Sequence, residues 1–256
     1  MNSLCVLTRF FISDLFYRKI VLVSFLLAIF FVIISVLLGP LSYAEESRLT
    51  INFSLAGSQI ALIFLSVLIG ASLIREDITS KAIHGFLTSP VSRTSYVLAK
   101  GLSFALVLLA MTFVMWFSFF ITSFFIGVEV SYAMSLLPFF GSYLEALLLF
   151  SMALCLSLFM SFLVTVSVVF SLFLVGHWLD TLNFLVKGAE SGFVKVFSWF
   201  IINCIPNLET LNWKAHLTYN EWSEAWFYTT NSFYALLWIC FFTVCSLIIF
   251  TRKDLT

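Results

Sequence analysis

Three sets of side chains in this sequence have the types and spacing that could support chemistry. Glu145 lies inside a long apolar run, where an ionisable group is a functional candidate. His177 and Asp180 lie three positions apart, a spacing that places both side chains on one face of a helix. A third set, in the stretch REDITSKAIH at 75–84, brings two carboxylates and a histidine together. Carboxylates and imidazoles transfer protons and bind metal ions, so each set raises the question of a catalytic or metal-binding role.

The spacing of these residues matches no catalytic or metal-binding motif. REDITSKAIH lacks the H-E-x-x-H pattern of zinc hydrolases, and the chain contains no G-x-S-x-G nucleophile motif. A metal ion at His177 and Asp180 would need further ligands, and His216 is the one other histidine expected on that side of the protein. We therefore expect no enzymatic activity and no bound metal. A hydrogen-bonded polar cap is the better prediction for His177 and Asp180.

The composition indicates a membrane protein. The chain has 256 residues, of which 62% are hydrophobic and 10% are charged, and its mean hydropathy is +1.10. Soluble domains are about 45–50% apolar, so a chain of this length could not bury so much apolar surface in water. Its formal net charge is zero, which argues against nucleic-acid binding. The five cysteines include no C-x-x-C pair, so neither a zinc site nor a disulfide framework is expected.

Six apolar runs are long enough to cross a lipid bilayer as helices, which takes about 20 residues each. The runs lie at 20–39, 53–74, 101–127 and 232–250, with the fourth and fifth sharing the stretch 136–180. We split that stretch near Met160–Ser161, although no charge or proline marks a turn there. The first run has Ser42 and Ala44 behind it, as a cleaved signal peptide would, but it exceeds the usual signal core of about 7–15 residues.

The basic residues predict the orientation of these helices. With the amino terminus in the cytoplasm, most of the 13 basic residues lie on the cytoplasmic side. Those left outside are Arg48, Lys187, Lys195 and Lys214. Both termini are then cytoplasmic. A single span over 136–180 would instead give an odd number of spans and place the carboxyl terminus outside.

Two polar segments are predicted to lie at the membrane surface. In residues 1–19, apolar side chains from Leu4 to Leu15 form one helical stripe, which fits a cytoplasmic interfacial helix or else an extension of the first span. Residues 181–231 form an outer loop whose four tryptophans are typical of the headgroup layer. We expect short interfacial or re-entrant helices in this loop rather than a folded soluble domain.

Residues 75–100 form a polar segment between the second and third apolar runs. A first helix is expected to end near Leu87. A second is expected to start with Ser89 as its N-cap and Pro90 in its first turn, and to continue into the third span. Such a helical pair suits docking onto a cytoplasmic partner, with Phe86 and Leu87 as apolar anchors. The alternative is a solvated loop that holds basic residues for topology.

This segment resembles the signature of ABC-2 type transporter permeases. The matching residues are Glu76, Gly85, Phe86-Leu87, Pro90-Val91-Ser92-Arg93, Tyr96 and Ala99-Lys100. The stretch IPNLETLN before the last span is similar to the Pro-Asn element of that family, and the ending FTRKDL is similar to its Phe-x-Arg-x-Asp-Leu close. The resemblance covers nearly the whole chain, although the outer loop is longer than that of a minimal permease.

The resemblance implies an all-α integral membrane protein with the ABC-2 (type V exporter-like) permease fold. It implies six transmembrane helices in a single transmembrane domain over 1–256, with cytoplasmic termini. The segment 75–100 would be the coupling segment, which binds a separate cytoplasmic ABC ATPase subunit. The residues that bind this partner would be Glu76, Lys81, Gly85, Phe86, Leu87, Pro90 and Arg93. A second permease subunit, identical or related, would complete the transporter in the bacterial inner membrane.

The function implied by the resemblance is export of a substrate, powered by ATP that the partner subunit hydrolyses. The chain itself has no G-x-x-x-x-G-K-[S/T] phosphate loop and is expected to bind no cofactor. Glu145 would line the substrate path, hydrogen-bond a neighbouring helix or lie at the outer interface. Two alternatives stay open: a permease-like subunit of a haem or metal maturation system, and a membrane scaffold that transports nothing.

Overall fold

The computed structural model describes residues 3–38, 46–80, 92–127, 131–187, 192–219 and 222–252. Throughout these ranges the regular elements are helices, so the all-α prediction is confirmed for the described part of the chain. The elements are α1 (Ser3–Phe16), α2 (Lys19–Leu38), α3 (Glu46–Ser72), α4 (Arg75–Thr79), α5 (Arg93–Ile126), α6 (Tyr132–Ser157), α7 (Phe162–Lys187), α8 (Gly192–Cys204), a 3₁₀ turn (Glu209–Leu211), α9 (Lys214–Tyr219) and α10 (Ala225–Arg252).

Five helical stretches in the described ranges are long and apolar enough to cross a membrane. They are Arg48–Thr79, Arg93–Phe124, Met134–Ser157, Phe162–Phe184 and Ala225–Arg252. These stretches correspond to the second through sixth predicted spans. The predicted first span coincides with α2, an apolar helix of 20 residues. The chain is therefore an integral membrane protein with several spans, and the count of six stays a prediction.

The break that the sequence predicted near Met160–Ser161 is confirmed. Helix α6 ends at Ser157 and α7 begins at Phe162. The side chain of Arg75 reaches the intervening turn and donates a hydrogen bond to the backbone carbonyl of Met160. A cation is favourable beside the unpaired carbonyls at the carboxyl end of a helix, so Arg75 stabilises the turn between the two spans.

Helix α3 lies at the centre of the bundle with α6. In the apolar window of the α3 span 83% of the residues are buried, whereas in that of α10 only 17% are. Small residues let the central helices approach closely. A Cβ atom on Gly70 of α3 would lie 2.9 Å from the Phe150 carbonyl oxygen of α6. Helices α7 and α10 surround this centre and expose apolar faces, as helices in contact with lipid do.

One end of the bundle, which we call the α4 end, contains α1, α4, the start of α5 and the end of α10. The ring of Tyr96 in α5 lies 5.7 Å from Phe11 of α1 and 5.9 Å from Phe250 of α10. The first and last described helices therefore meet at the same end, as an even number of spans requires. The cytoplasmic location of this end stays a prediction.

Helix α1 is separate from the first predicted span rather than an extension of it. It ends at Phe16, and residues 17–18 separate it from α2. Phe11 and Leu15 of its apolar stripe are buried in the core of the bundle. Helix α1 is thus fixed to α5 by side-chain packing.

The opposite end of the bundle carries the segment predicted to be the outer loop. Its described part contains short helices, and its position relative to the membrane stays a prediction. Helix α8 has 13 residues and α9 has six. At about 1.5 Å per residue, neither helix can cross a hydrocarbon core of about 30 Å. Residues 206–219, which include the 3₁₀ turn and α9, contact α3, α6, α7 and α10. We call residues 206–219 the cap.

Candidate functional site

The first candidate site is α4, at the beginning of the predicted coupling segment. Its sequence REDIT places Glu76 and Asp77 in the first turn, where the helix dipole favours negative charge. The two carboxylates are bound by different parts of the molecule. Asp77 is held by α5, and Glu76 is held by the junction between α1 and α2.

Tyr96 and Lys100 of α5 both bind Asp77. They lie four residues apart, which places them on one face of the helix. The Tyr96 hydroxyl and the Lys100 ammonium donate to the same oxygen, Oδ2 of Asp77. Lys100 Nζ also donates to the backbone carbonyl of Leu73 at 2.8 Å, in the turn that precedes α4. The tyrosine and lysine that match the permease signature therefore fasten α4 to α5.

The Lys100 ammonium is buried, and the groups around it compensate for its positive charge. Lys100 is 1% exposed. Besides Asp77 and the Leu73 carbonyl, its Nζ lies 5.1 Å from the ring centroid of Phe11 and 5.3 Å from that of Tyr96. These are cation–π distances, and they bring α1 into the same arrangement. Removing the Asp77 charge would leave an uncompensated buried cation, which is strongly destabilising.

Glu76 is the second attachment point of α4. Its Oε2 lies 2.7 Å from Arg18 Nη1, and Arg18 Nη2 lies 3.5 Å from Asp14 Oδ2 of α1. Arg18 is in the short junction between α1 and α2. Movement of α4 would therefore act on α5 through Asp77 and on the α1–α2 junction through Glu76. We call Arg18, Glu76, Asp77, Tyr96 and Lys100 the α4 clamp.

The rest of the predicted coupling segment is described only in part. Lys81, Gly85, Phe86, Leu87 and Pro90 lie outside the described residues, and so does the predicted end of the first helix. Among the other predicted partner-binding residues, Glu76 belongs to the clamp. Arg93 Nη1 donates to the backbone carbonyl of Thr251 at 3.2 Å, which ties the start of α5 to the end of α10.

The prediction that the helix of the third span begins at Ser89 is wrong. Helix α5 begins at Arg93, with Ser92 as its N-cap in extended conformation. The Ser92 hydroxyl accepts a hydrogen bond at 3.1 Å from the backbone N–H of Ser95, and its Oγ lies 2.7 Å from Ser95 Oγ. This contact satisfies one of the free N–H groups at the helix start. Serine occurs at both positions, and each is followed by another serine three residues on.

The second candidate site surrounds Glu145, in the middle of α6. Glu145 is 0% exposed. The side-chain amide of Gln59 in α3 donates to Glu145 Oε2 at 2.5 Å, and the amide oxygen of Gln59 accepts from the Lys214 ammonium of α9. Gln59 therefore bridges the buried carboxylate of one central helix to the cap.

His177 and Asp180 of α7 face the cap but do not bind each other. His177 Nε2 lies 3.4 Å from Glu145 Oε1 and 3.9 Å from Glu209 Oε2. Asp180 instead accepts a hydrogen bond from the Asn207 side chain at 2.8 Å. We call Gln59, Glu145, His177, Glu209 and Lys214 the cap cluster.

Close backbone approaches fix the position of the cap. The Leu208 N–H donates to the Gly176 carbonyl of α7 at 3.2 Å, and a Cβ atom on Gly176 would lie 2.8 Å from Leu208 Cγ. A Cβ atom on Gly141 of α6 would lie 2.5 Å from the Leu211 carbonyl oxygen. Trp213 is buried against Phe140 of α6 and Tyr228 of α10. The cap thus packs closely against α6 at Gly141 and against α7 at Gly176, where glycine has no side chain to keep it away.

Lys214 is the cation that the cap brings to the cluster, beside the carboxylate of Glu209. Burial lowers the pKa of Lys214, and the nearby carboxylates of Glu145 and Glu209 oppose that shift. Within the described ranges, no group of three or more His, Cys, Asp or Glu side chains is arranged to hold a metal ion.

Sequence reasoning did not identify Gln59, Lys214, Glu209, Asp77 or Lys100 as functional side chains. Gln59 could have been found, because it is the one amide side chain in an apolar run that otherwise carries only serines as polar residues. Asp77 was considered only as a metal ligand. Lys100 was part of the permease signature without an assigned role.

The comparison with protein families agrees with this architecture. A family model described as ABC-2 family transporter protein matches residues 17–179. The matched region runs from the α1–α2 junction to α7, so it includes the α4 clamp, Glu145 and His177, and it ends before the cap. No curated protein sequence matches the chain. Because the family match covers more than half of its length, the chain belongs to the ABC-2 transporter family of membrane proteins.

Proposed function

We propose that this chain is the permease subunit of an ABC-2 type exporter, powered by a separate cytoplasmic ATPase subunit. The observation that carries the proposal is the α4 clamp. A short helix at the head of the predicted coupling segment is fastened on both sides by charged hydrogen bonds. An attachment of this kind lets a partner displace the segment while its helix stays folded.

The charge distribution supports a cytoplasmic α4 end. Basic side chains collect there, namely Arg18, Lys19, Arg75, Arg93 and Arg252. Cytoplasmic loops of membrane proteins carry an excess of arginine and lysine. A soluble ATPase would therefore meet the coupling segment at this end, and the cap would lie on the outer face.

The proposed coupling mechanism uses the contacts of the clamp. ATP-driven closure of the partner subunits moves residues 75–100. Asp77 passes this movement to α5 through Lys100 and Tyr96, and Glu76 passes it to α2 through Arg18. Helix α3 leads through residues 73–74 into α4 and carries Gln59 at its midpoint, so the same movement acts on the cap cluster. The bundle is then a two-state element whose states the partner selects.

In this proposal the rest of the coupling segment contacts the ATPase subunit. Lys81, Gly85, Phe86, Leu87 and Pro90 would sit in a groove of the ATPase, with the two apolar side chains as its principal anchors. A second permease subunit would complete the translocation path. The chain would bind no nucleotide and no cofactor, since ATP binding and hydrolysis belong to the partner.

Reconstitution tests this proposal. The chain and its ATP-binding subunit are placed together in liposomes, and ATP hydrolysis is compared with that of the ATP-binding subunit alone. A permease raises the hydrolysis rate, and the rate changes further when the transported substrate is added. A membrane scaffold gives a stable complex whose ATP hydrolysis is insensitive to every substrate and to variants of the clamp.

A further inference from the structure

Both ring nitrogens of His177 face oxygen atoms that can accept a hydrogen bond. Its Nδ1 lies 3.3 Å from the backbone carbonyl oxygen of Phe173, which can only accept. Its Nε2 faces Oε1 of Glu145 at 3.4 Å and Oε2 of Glu209 at 3.9 Å. A neutral imidazole has one N–H, so it can serve the carbonyl or the carboxylates but not both.

In the described part of the chain, Glu145 also lacks a hydrogen-bond partner at the carboxylate oxygen that faces His177. Its Oε2 accepts from Gln59, whereas its Oε1 is buried and has no hydrogen-bond partner among the described residues. An ionised carboxylate with one bare oxygen in the interior is costly. His177 Nε2 lies 3.4 Å from that oxygen. A single proton on the line between Oε1 and Nε2 satisfies both atoms, whichever of the two carries it.

The surrounding charges balance when this proton is present. The ionisable groups that act on Glu145 and His177 within the described residues are Glu209 from the 3₁₀ turn and Lys214 from α9. Gln59 from α3 is neutral, and Asp180 of α7 faces Asn207 instead. With one proton on the Glu145–His177 pair, the pair is neutral and Glu209 offsets Lys214. Without that proton, the cluster carries one uncompensated negative charge.

The pair can exchange this proton with the surface at the cap end. Glu145 is 0% exposed, but the side chain of His177 is 19% exposed and that of Glu209 is 38% exposed. A proton that reaches Glu145 from the cap side would pass by way of these two groups. Both Glu209 and Lys214 belong to the cap, so the charge of the pair acts on how firmly the cap is seated.

From this geometry we infer that Glu145 and His177 form a proton-binding site that controls cap attachment. Binding of one proton holds the cap on the bundle, and loss of that proton releases it. When the cap is displaced, water hydrates the Glu145 carboxylate and the His177 ring, and the shared proton is no longer needed to satisfy Oε1 and Nε2. The seated cap therefore binds more protons than the displaced cap, so seating is favoured as pH falls and weakened as pH rises. For one proton, the ratio of seated to displaced cap changes by at most about tenfold per pH unit.

Hydrogen–deuterium exchange of the full chain in lipid nanodiscs tests this site. The readout is the protection of the backbone amides of residues 206–219 between about pH 5.5 and 8.5, a window around the ordinary histidine pKa. Dividing the exchange rates of the wild type by those of a variant at the same pH cancels the intrinsic pH dependence of exchange. The variant is Glu145→Gln, whose amide can donate to His177 Nε2 and cannot titrate.

The expected result is a wild-type protection that falls relative to Glu145→Gln as pH rises, by up to about tenfold per unit. Asp180→Asn is the matched control, because Asp180 contacts the cap from the same helix but lies outside the pair. It should keep the wild-type pH dependence. If Glu145→Gln does not accumulate, His177→Gln serves in its place and should likewise lack the wild-type pH dependence. A constant ratio across the pH range, or equal pH dependence in the wild type and both variants, would overturn the inference.

Discussion

Lys100 donates to the Asp77 carboxylate in a nearly buried ion pair that joins α5 to α4. Asp77 lies near the beginning of the polar segment that interrupts the apolar sequence, and Lys100 ends it. The chain between them is thereby closed into a loop whose two ends share one charge pair. A force on this loop reaches α3 and α5 together, which is the geometric requirement for coupling.

The first prediction concerns this ion pair. Asp77→Asn leaves the Lys100 ammonium buried without its counterion, and should lower the stability of the purified protein by about 3–5 kcal/mol. Thermal unfolding in detergent measures the loss. Adding Lys100→Met removes the buried cation and should recover most of the stability, since no unpaired charge remains. Glu76→Gln is the control, because that carboxylate is 55% exposed and its pair with Arg18 should matter by less than about 1 kcal/mol. Equal losses for Asp77→Asn and Glu76→Gln would contradict the assignment.

The second prediction separates the mechanical role of Glu76 from its small effect on stability. Arg18→Glu and Glu76→Arg should each reduce substrate-stimulated ATP hydrolysis, because each severs α4 from the α1–α2 junction. The double charge reversal should restore part of that activity by re-forming the pair in the opposite sense. Rates of ATP hydrolysis in liposomes provide the measurement. No recovery in the double variant would show that the pair does not transmit movement.

The third prediction concerns the fit of the cap. Gly141→Ala places a methyl group 2.5 Å from the Leu211 carbonyl oxygen, a backbone atom that can move only with the cap. We expect a destabilisation of about 1–3 kcal/mol and faster amide exchange in residues 206–219. Gly101→Ala in α5 is the matched control, because nothing lies within 4 Å of its Cβ position. That variant should be neutral or stabilising by up to about 1 kcal/mol. Equal stability and equal amide exchange in the two variants would show that the cap does not pack closely against α6 at Gly141.

The fourth prediction concerns topology. In a chain whose native cysteines have been replaced, a membrane-impermeant thiol reagent applied from outside should label a cysteine at Asn220 and not one at Ser80. The reason is that the α4 end collects the basic residues and the cap end does not. Labelling of both positions from the same side would exclude the arrangement of six spans with cytoplasmic termini.

The sequence predicts the architecture well where the determining factor is hydropathy. The apolar runs indicate the spans, and their total length requires the turn between α6 and α7 even without a proline or charge at Met160–Ser161. The N-cap of α5 is harder to predict, because Ser89 followed by proline and Ser92 are both good caps. Local sequence cannot decide between two cap hydroxyls when each can satisfy free N–H groups of a helix that starts just after it.

The polar clusters show what local sequence cannot reveal. The depth of Glu145 in its apolar run marks it as a candidate. Its partners come from distant parts of the chain, and Lys214 is 155 residues away from Gln59. Periodicity indicates which face of a helix is buried, but not which buried polar groups meet across helices. The same holds for Asp77, whose partners Tyr96 and Lys100 lie on α5, a helix that begins 16 residues later at Arg93.

The most direct test of the proposed function uses the two apolar side chains of the coupling segment. Phe86→Ala combined with Leu87→Ala should remove the anchors in the ATPase groove. Hot-spot truncations cost about 2 kcal/mol or more, which corresponds to a roughly thirtyfold loss of affinity. Lys81→Glu in the same segment is the control, because a rim charge mainly alters the association rate.

The measurement is the amount of ATP-binding subunit that co-purifies with each variant, together with substrate-stimulated ATP hydrolysis. The proposed function predicts that the double variant inserts normally into the membrane, because its own spans and the α4 clamp are unchanged, but loses the ATPase subunit or its stimulation. Lys81→Glu should retain most of both. Wild-type co-purification and wild-type stimulated hydrolysis by the double variant would contradict the assignment of residues 75–100 as the coupling segment.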